Sequence, residues 1–228
     1  MALPTIDVPT FEVEMPTTKK KIKFRPFLVK EDKILTLATN GSIEEMISSC
    51  QQVLINCSFG EYDAFNSPMF ELQWVFLQVK ANSVGNIQDF RLKCGHCEQF
   101  TGYQLDLLSV DIKNIEKLKN KEIKLDDNTI LLAKFPSSKE FSKKDVSDTH
   151  LIKCTIDAIY QDESKYTFEN EPEEEVENFI NSLPIEALKK LENFYLDTPY
   201  IEHVVEYTCK GCDKENVVSI NGYENFFA

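Results

Sequence analysis

Cys94 and Cys97 in KCGHCE, and Cys209 and Cys212 in TCKGCD, are the residues whose type and spacing best suit them to chemistry. Each pair has the two-residue spacing of a metal knuckle, in which a tight turn aims both sulfurs at one ion and backbone N–H groups offset the thiolate charge. Together the pairs supply the four thiolates of a tetrahedral site, and the ion that such a donor set selects is zinc, one per chain. Roughly 110 residues separate the pairs, far more than the ~15–20 of a compact finger. The metal would therefore clasp distant parts of the chain.

Other chemistry for these cysteines is less well supported. A disulfide framework suits an even number of cysteines behind a secretion signal, whereas this chain has seven and its opening Met-Ala-Leu-Pro-Thr-Ile has neither a basic nor an apolar leader segment. A thioredoxin-type redox pair needs C-x-x-C at a helix N-terminus, and both pairs here lie between strand-like segments. A catalytic zinc keeps one coordination position open, and four cysteines fill the shell, so the expected role is structural. His96, between the first two cysteines, is an alternative ligand but is expected to face solvent. Cys50, Cys57 and Cys154 fall in apolar-periodic segments and are expected in the core.

The elements that position the sulfurs can be read from their flanks. Ile87–Leu92 before the first pair and Phe100–Leu105 after it alternate apolar and polar residues, as half-buried strands do. Glu202–Tyr207 and Asn216–Ile220 flank the second pair in the same way, with β-branched enrichment. Both knuckles are thus expected at hairpin tips, and two hairpins meeting around zinc form a zinc-ribbon-like module. The expected fold class is α+β, organised as a hairpin and helical region over 1–86, the two halves of the ribbon over 87–108 and 200–228, and a large, mostly helical α+β insertion over 109–199.

Signals along the chain fill in this plan. Thr10–Met15 and Lys20–Phe24 flank Pro16-Thr17-Thr18 and predict an opening hairpin. Glu31-Asp32 starts a helix that ends near Asn40-Gly41, and Ser42 with Glu45 forms a capping box for a second. Ser67-Pro68 opens a third, densely apolar helix that contains Trp74, the single tryptophan, as a core residue. Within the insertion, Glu122–Leu125 and Ile130–Ala133 around Asp126-Asp127-Asn128 predict a hairpin. Asp145–Asp148 precedes a helix carrying Leu151, Ile152, Cys154, Ile156 and Ile159. Two further helices, Glu173–Leu183 and Pro184–Leu196, are divided by a proline, and the acidic run at Glu173 suits a helix N-terminus.

Composition limits the function classes. The chain has 228 residues, 42% hydrophobic, which suits one or two folded, soluble, intracellular domains. No apolar run approaches the roughly 18–20 residues that span a bilayer. The formal charge of −13 becomes about −15 once four thiolates hold one Zn²⁺, which disfavours nucleic acid as a partner even though many zinc ribbons bind it. Lys21, Lys23 and Arg25 alternate along one strand and, with Phe27 just beyond, are a candidate partner-binding surface. The aromatic C-terminus, Tyr223, Phe226 and Phe227, is a second. Three scattered histidines, with no nucleotide-binding glycine loop, nucleophile elbow or H-E-x-x-H, point away from an enzyme.

The string Lys21-Ile22-Lys23-Phe24-Arg25-Pro26-Phe27-Leu28-Val29-Lys30-Glu31-Asp32-Lys33-Ile34-Leu35 resembles the baseplate proteins of T-even-type contractile-tailed bacteriophages. So do the Asn56-Cys57-Ser58-Phe59-Gly60 step, both cysteine pairs and the ending Asn221–Phe227. The resemblance covers most of the chain, and the R-P-F-L-V-K-E segment is its most specific part. It implies a baseplate hub protein with other phage hub proteins as partners. Such a protein is either an assembly factor or chaperone acting in the host cytoplasm before the hub joins its wedges, or a subunit retained in the virion tail baseplate. Neither role is enzymatic. A nucleic-acid-binding zinc ribbon is the remaining alternative.

Overall fold

Hydrophobic periodicity of 2 and of 3.6 alternate along the chain, and the structure alternates accordingly between hairpins and helices. A computed structural model describes residues 6–118, 121–142 and 148–222. In chain order its elements begin with β1 (Phe11–Glu14), β2 (Lys21–Phe24), α1 (Val29–Ala38), α2 (Ile43–Cys57), α3 (Met69–Val84), β3 (Ile87–Lys93), β4 (Phe100–Asp106) and β5 (Asp111–Lys113). There follow β6 (Lys121–Lys124), β7 (Thr129–Ala133), α4 (Ser138–Phe141), α5 (Asp148–Thr155), β8 (Ile156–Gln161) and β9 (Ser164–Tyr166). The chain continues with α6 (Glu173–Ser182), α7 (Ile185–Leu196), β10 (Tyr200–Thr208) and β11 (Glu215–Asn221). The class is mixed α+β. Among the described residues no helix is long and apolar enough to cross a membrane.

Two compact units divide the chain. The first comprises 1–64, 70–113 and 200–228; the second comprises 65–69 and 114–199. In the first unit β1 and β2 pair antiparallel, with Val13 opposite Ile22 buried on one face and Glu12 and Glu14 opposite Lys23 and Lys21 on the other. The turn of this hairpin is held by Glu71 at the start of α3, whose carboxylate accepts both the N–H and the hydroxyl of Thr17. α2 starts at the capping box read from the sequence: Ser42 Oγ accepts the Glu45 N–H at 3.3 Å, and Glu45 accepts the Ser42 N–H at 3.2 Å. α3 is apolar on most sides and correspondingly buried at Phe70, Leu72, Val75, Phe76, Leu77 and Val79, while Trp74 is only half-buried.

β3 and β4 form one hairpin, and β10 lies between β11 and β5 in a three-stranded sheet. Lys113 at the end of β5 is the cross-strand partner of Tyr200 at the start of β10. The chain thus leaves the first unit and re-enters it at paired residues.

The second unit is built on a four-stranded antiparallel sheet in the order β6-β7-β8-β9. Ile123, Leu131, Ala133, Ile156 and Ile159 from the sheet form its core with Leu191 and Phe194 of α7. Phe135 stacks on Phe194 at 4.7 Å between ring centroids. A helix reaching Ile159 is not what forms here. α5 stops at Thr155, and Ile156–Gln161 becomes β8, paired along its length with β7. A spacing of three between Ile156 and Ile159 fits a helix rather than a period of 2. Both reach the core from a strand because the register shifts between them, Ala133 pairing with Ile156 and Leu132 with Ala158. β-branched Ile156 and Ile159, the aromatic Tyr160 and the partner strand favour the strand. Segment 65–69 joins this unit through Ser138, whose N–H donates to the Ser67 carbonyl at 2.8 Å.

Candidate metal centre

β3–β4 and β10–β11 end in loops of the same length and the same bonding. Lys93 pairs with Phe100 around the first loop, and Thr208 with Glu215 around the second. Cys94 N–H donates to the Gln99 carbonyl and Glu98 N–H to the Cys94 carbonyl, at 2.9 and 3.1 Å. In the second loop Cys209 N–H donates to the Lys214 carbonyl and Asp213 N–H to the Cys209 carbonyl, each at 2.9 Å. Glu98 and Asp213 both take left-handed backbone, with φ of 62° and 55°. The N–H groups of His96 and Gly211 then point at Cys94 Sγ and Cys209 Sγ, at 3.3 and 3.4 Å. Two copies of one knuckle therefore face each other.

The four sulfurs converge. Cys94 Sγ lies 3.8 Å from Cys212 Sγ, and Cys97 Sγ lies 3.6 Å from Cys209 Sγ, while all four are within 4.8 Å of one another. A tetrahedron with Zn–S bonds of 2.3 Å has an edge of about 3.8 Å, whereas a disulfide holds its sulfurs at about 2.05 Å. The separations fit four thiolates around a common ion, and none of the seven cysteines is joined in a disulfide. Cys94 and Cys209 are buried, and Cys97 and Cys212 are half-buried. His96 is exposed and outside the quartet, as expected.

Backbone N–H groups of Cys97 and His96, with the neighbouring sulfurs, pull the Cys94 thiol down to about 6. Cys212 is pushed the other way, to about 12: the Lys214 N–H lowers it, but burial and the other three sulfurs outweigh that contact. Tyr207 stands close enough to feel the four sulfurs, and burial together with their charge raises its phenol.

One positioning residue escaped the sequence reading. Asn216, at the start of β11 and 9% exposed, accepts the Gly95 N–H at 3.0 Å and donates to the Lys214 carbonyl at 2.9 Å. It ties the first knuckle to the second without touching a sulfur. An asparagine four residues after Cys212, in a strand otherwise rich in valine, is the signal that was available. Gly211 completes the fit, since a Cβ there would fall on the Gln99 side-chain amide. Tyr103 of β4 and His203 of β10 join the hairpins farther from the tips, Oη to Nε2 at 3.0 Å.

The basic strand is arranged differently from expectation. Lys21 and Lys23 are exposed, each opposite a glutamate of β1. Arg25 does not share their face. β2 ends at Phe24, and the Arg25 side chain turns inward to Glu31, Nη2 to Oε1 at 3.0 Å and Nη1 to Oε2 at 3.1 Å. Glu31, fully buried, also accepts the Leu28 N–H that starts α1. Arg25 Nη1 reaches the Pro26 carbonyl and Cys57 Sγ as well, and burial raises the Cys57 thiol to about 11. Both Nη atoms of the guanidinium are thus engaged by the protein's own groups. Phe27 is half-buried, its ring 5.7 Å from that of Phe76 and its N–H on Ser83. Tyr223, Phe226 and Phe227 lie outside the described residues.

The R-P-F-L-V-K-E string therefore locks β2, α1 and α2 together, through Arg25 to Glu31 and to Cys57. Comparison with known proteins agrees with the resemblance. The family described as T4 bacteriophage base plate protein matches residues 8–228, nearly the whole chain. No curated protein and no solved structure matches the chain. On the strength of a match that runs through both knuckles and the Arg25–Glu31 lock, the chain belongs to the T4 bacteriophage base plate protein family.

Proposed function

We infer that this base plate protein is a non-enzymatic hub assembly protein that binds other hub proteins, with a structural zinc in the cysteine quartet. The observation that carries the reading is the family match over residues 8–228. Several features support the finer points. Four sulfurs at tetrahedral separations leave no coordination position for a substrate, which suits a structural metal. A net charge of −13 and the glutamates opposite Lys21 and Lys23 weigh against a phosphate backbone as partner. Lys21 and Lys23, with the exposed Val29 and Leu37 of α1, are the surface residues offered for protein contact.

Affinity purification of the tagged chain from cells expressing the neighbouring hub proteins, together with mass spectrometry of purified tails, tests the role. Complexes with hub precursors and absence from finished tails are expected. Stoichiometric presence in tails would make the protein a retained subunit, and DNA binding that falls steeply with salt would make it a nucleic-acid-binding ribbon. For the metal, Cys94→Ser and Cys209→Ser should each hold one zinc fewer than the parent by elemental analysis and melt at lower temperature. Unchanged melting after metal removal would end the zinc reading.

A further inference from the structure

A second group of metal-ligating side chains lies in the unit that holds 114–199. Glu140 comes from α4, and His150 and Cys154 come from α5. Positions i and i+4 put the histidine and cysteine on one helix face, one turn apart. Glu140 Oε2 is 3.0 Å from His150 Nε2, Cys154 Sγ is 3.4 Å from the same nitrogen, and the three donor atoms all lie within 4.8 Å of one another. Glu140 is 9% exposed, and His150 and Cys154 are half-buried. All three line a cavity of about 510 Å³ that Lys134, Asp157 and Lys165 also line. Cys154 was expected in the core and instead stands at the wall of this cavity.

A nucleophilic Cys–His pair is oriented by an acid on the opposite ring nitrogen. Here acid and thiol meet the same nitrogen, which is the arrangement of donors converging on one point. We propose that Glu140, His150 and Cys154 form a second metal site, a three-ligand centre for a zinc-class divalent cation whose fourth position opens onto the cavity. One sulfur, one imidazole and one carboxylate form a borderline donor set that suits Zn²⁺ or Co²⁺ rather than Mg²⁺ or Ca²⁺. On binding, His150 is the neutral imidazole with its single proton on Nδ1 and offers the Nε2 lone pair, Glu140 offers its carboxylate, and the thiol proton of Cys154 is displaced to solvent. A filled Cys₄ shell has no place for a further ligand, and this site has one.

The site is independent of the cysteine quartet, and peptide-resolved alkylation of the reduced full-length protein separates the two. Added Zn²⁺ should slow modification of Cys154 by at least about tenfold while also protecting Cys94, Cys97, Cys209 and Cys212. Protection of the quartet with Cys154 modified at its metal-free rate overturns the second site and leaves the first. Protection of Cys154 alone does the reverse. Metal content after saturation with Co²⁺ and removal of free ion should be two per chain for the parent and one for His150→Ala and Cys154→Ser. An equal metal content in the parent and both folded variants overturns the proposal, and the alkylation of the parent decides it if a variant does not fold.

Discussion

Asn216 links the two knuckles through its side-chain amide, accepting from Gly95 and donating to Lys214. Asn216→Ala leaves both backbone groups without that partner and should cost about 1–3 kcal/mol in urea denaturation. A chelator should then strip zinc from the variant faster than from the parent. Arg25 and Glu31 act at the same scale. Glu31→Gln strands a buried guanidinium and should destabilise the protein by about 3–5 kcal/mol at neutral pH. Burial pushes the Glu31 carboxyl up, but Arg25 and the Leu28 N–H pull it further down, so it lies below its ordinary value of 4.5. A carboxyl lowered by folding stabilises fully above its ordinary value, and that contribution disappears as pH falls through the lowered one. Denaturation at a series of acidic pH values should show the gap between parent and Glu31→Gln closing in that window.

At the scale of elements, legibility followed how local the signal was. The capping box at Ser42 and Glu45 is contained within four residues, and both of its bonds form. Ser42→Ala should therefore lower stability by about 1 kcal/mol in thermal denaturation. The proline before α7 and the acidic first turn of α6 were similarly readable. β8 was not, because its residues suit a helix until β7 is beside them. β5 is three residues long and exists only through its pairing with β10, far along the chain. Arg25 was misplaced for a related reason: alternation assigned it to a strand face, and a buried carboxylate on α1 claimed it. For the cysteine quartet, the residues that come together were legible from spacing alone. Asn216 and the Glu140, His150 and Cys154 group required the three-dimensional structure, since each joins segments that the sequence separates.

At the scale of the whole molecule, the second unit is inserted into the first between Lys113 and Tyr200, two residues already paired across adjacent strands. A two-residue Asn-Gly turn is the natural length for joining such partners. Replacing 114–199 with that turn should give a chain that still binds zinc at the quartet, measured by metal content and by the loss of metal in its Cys209→Ser derivative. Loss of zinc from the shortened but folded chain would show that the insertion takes part in closing the clasp. The same topology sets a timetable during synthesis. Cys94 and Cys97 leave the ribosome roughly 115 residues ahead of their partners, an interval of about 6–20 s at ordinary elongation rates. Over that interval only half of the quartet has emerged, and the second unit has time to fold before Cys212 follows. Closure of the quartet is then among the last events of the chain's maturation, and a metal held there would mark a protein whose synthesis has run to its final hairpin.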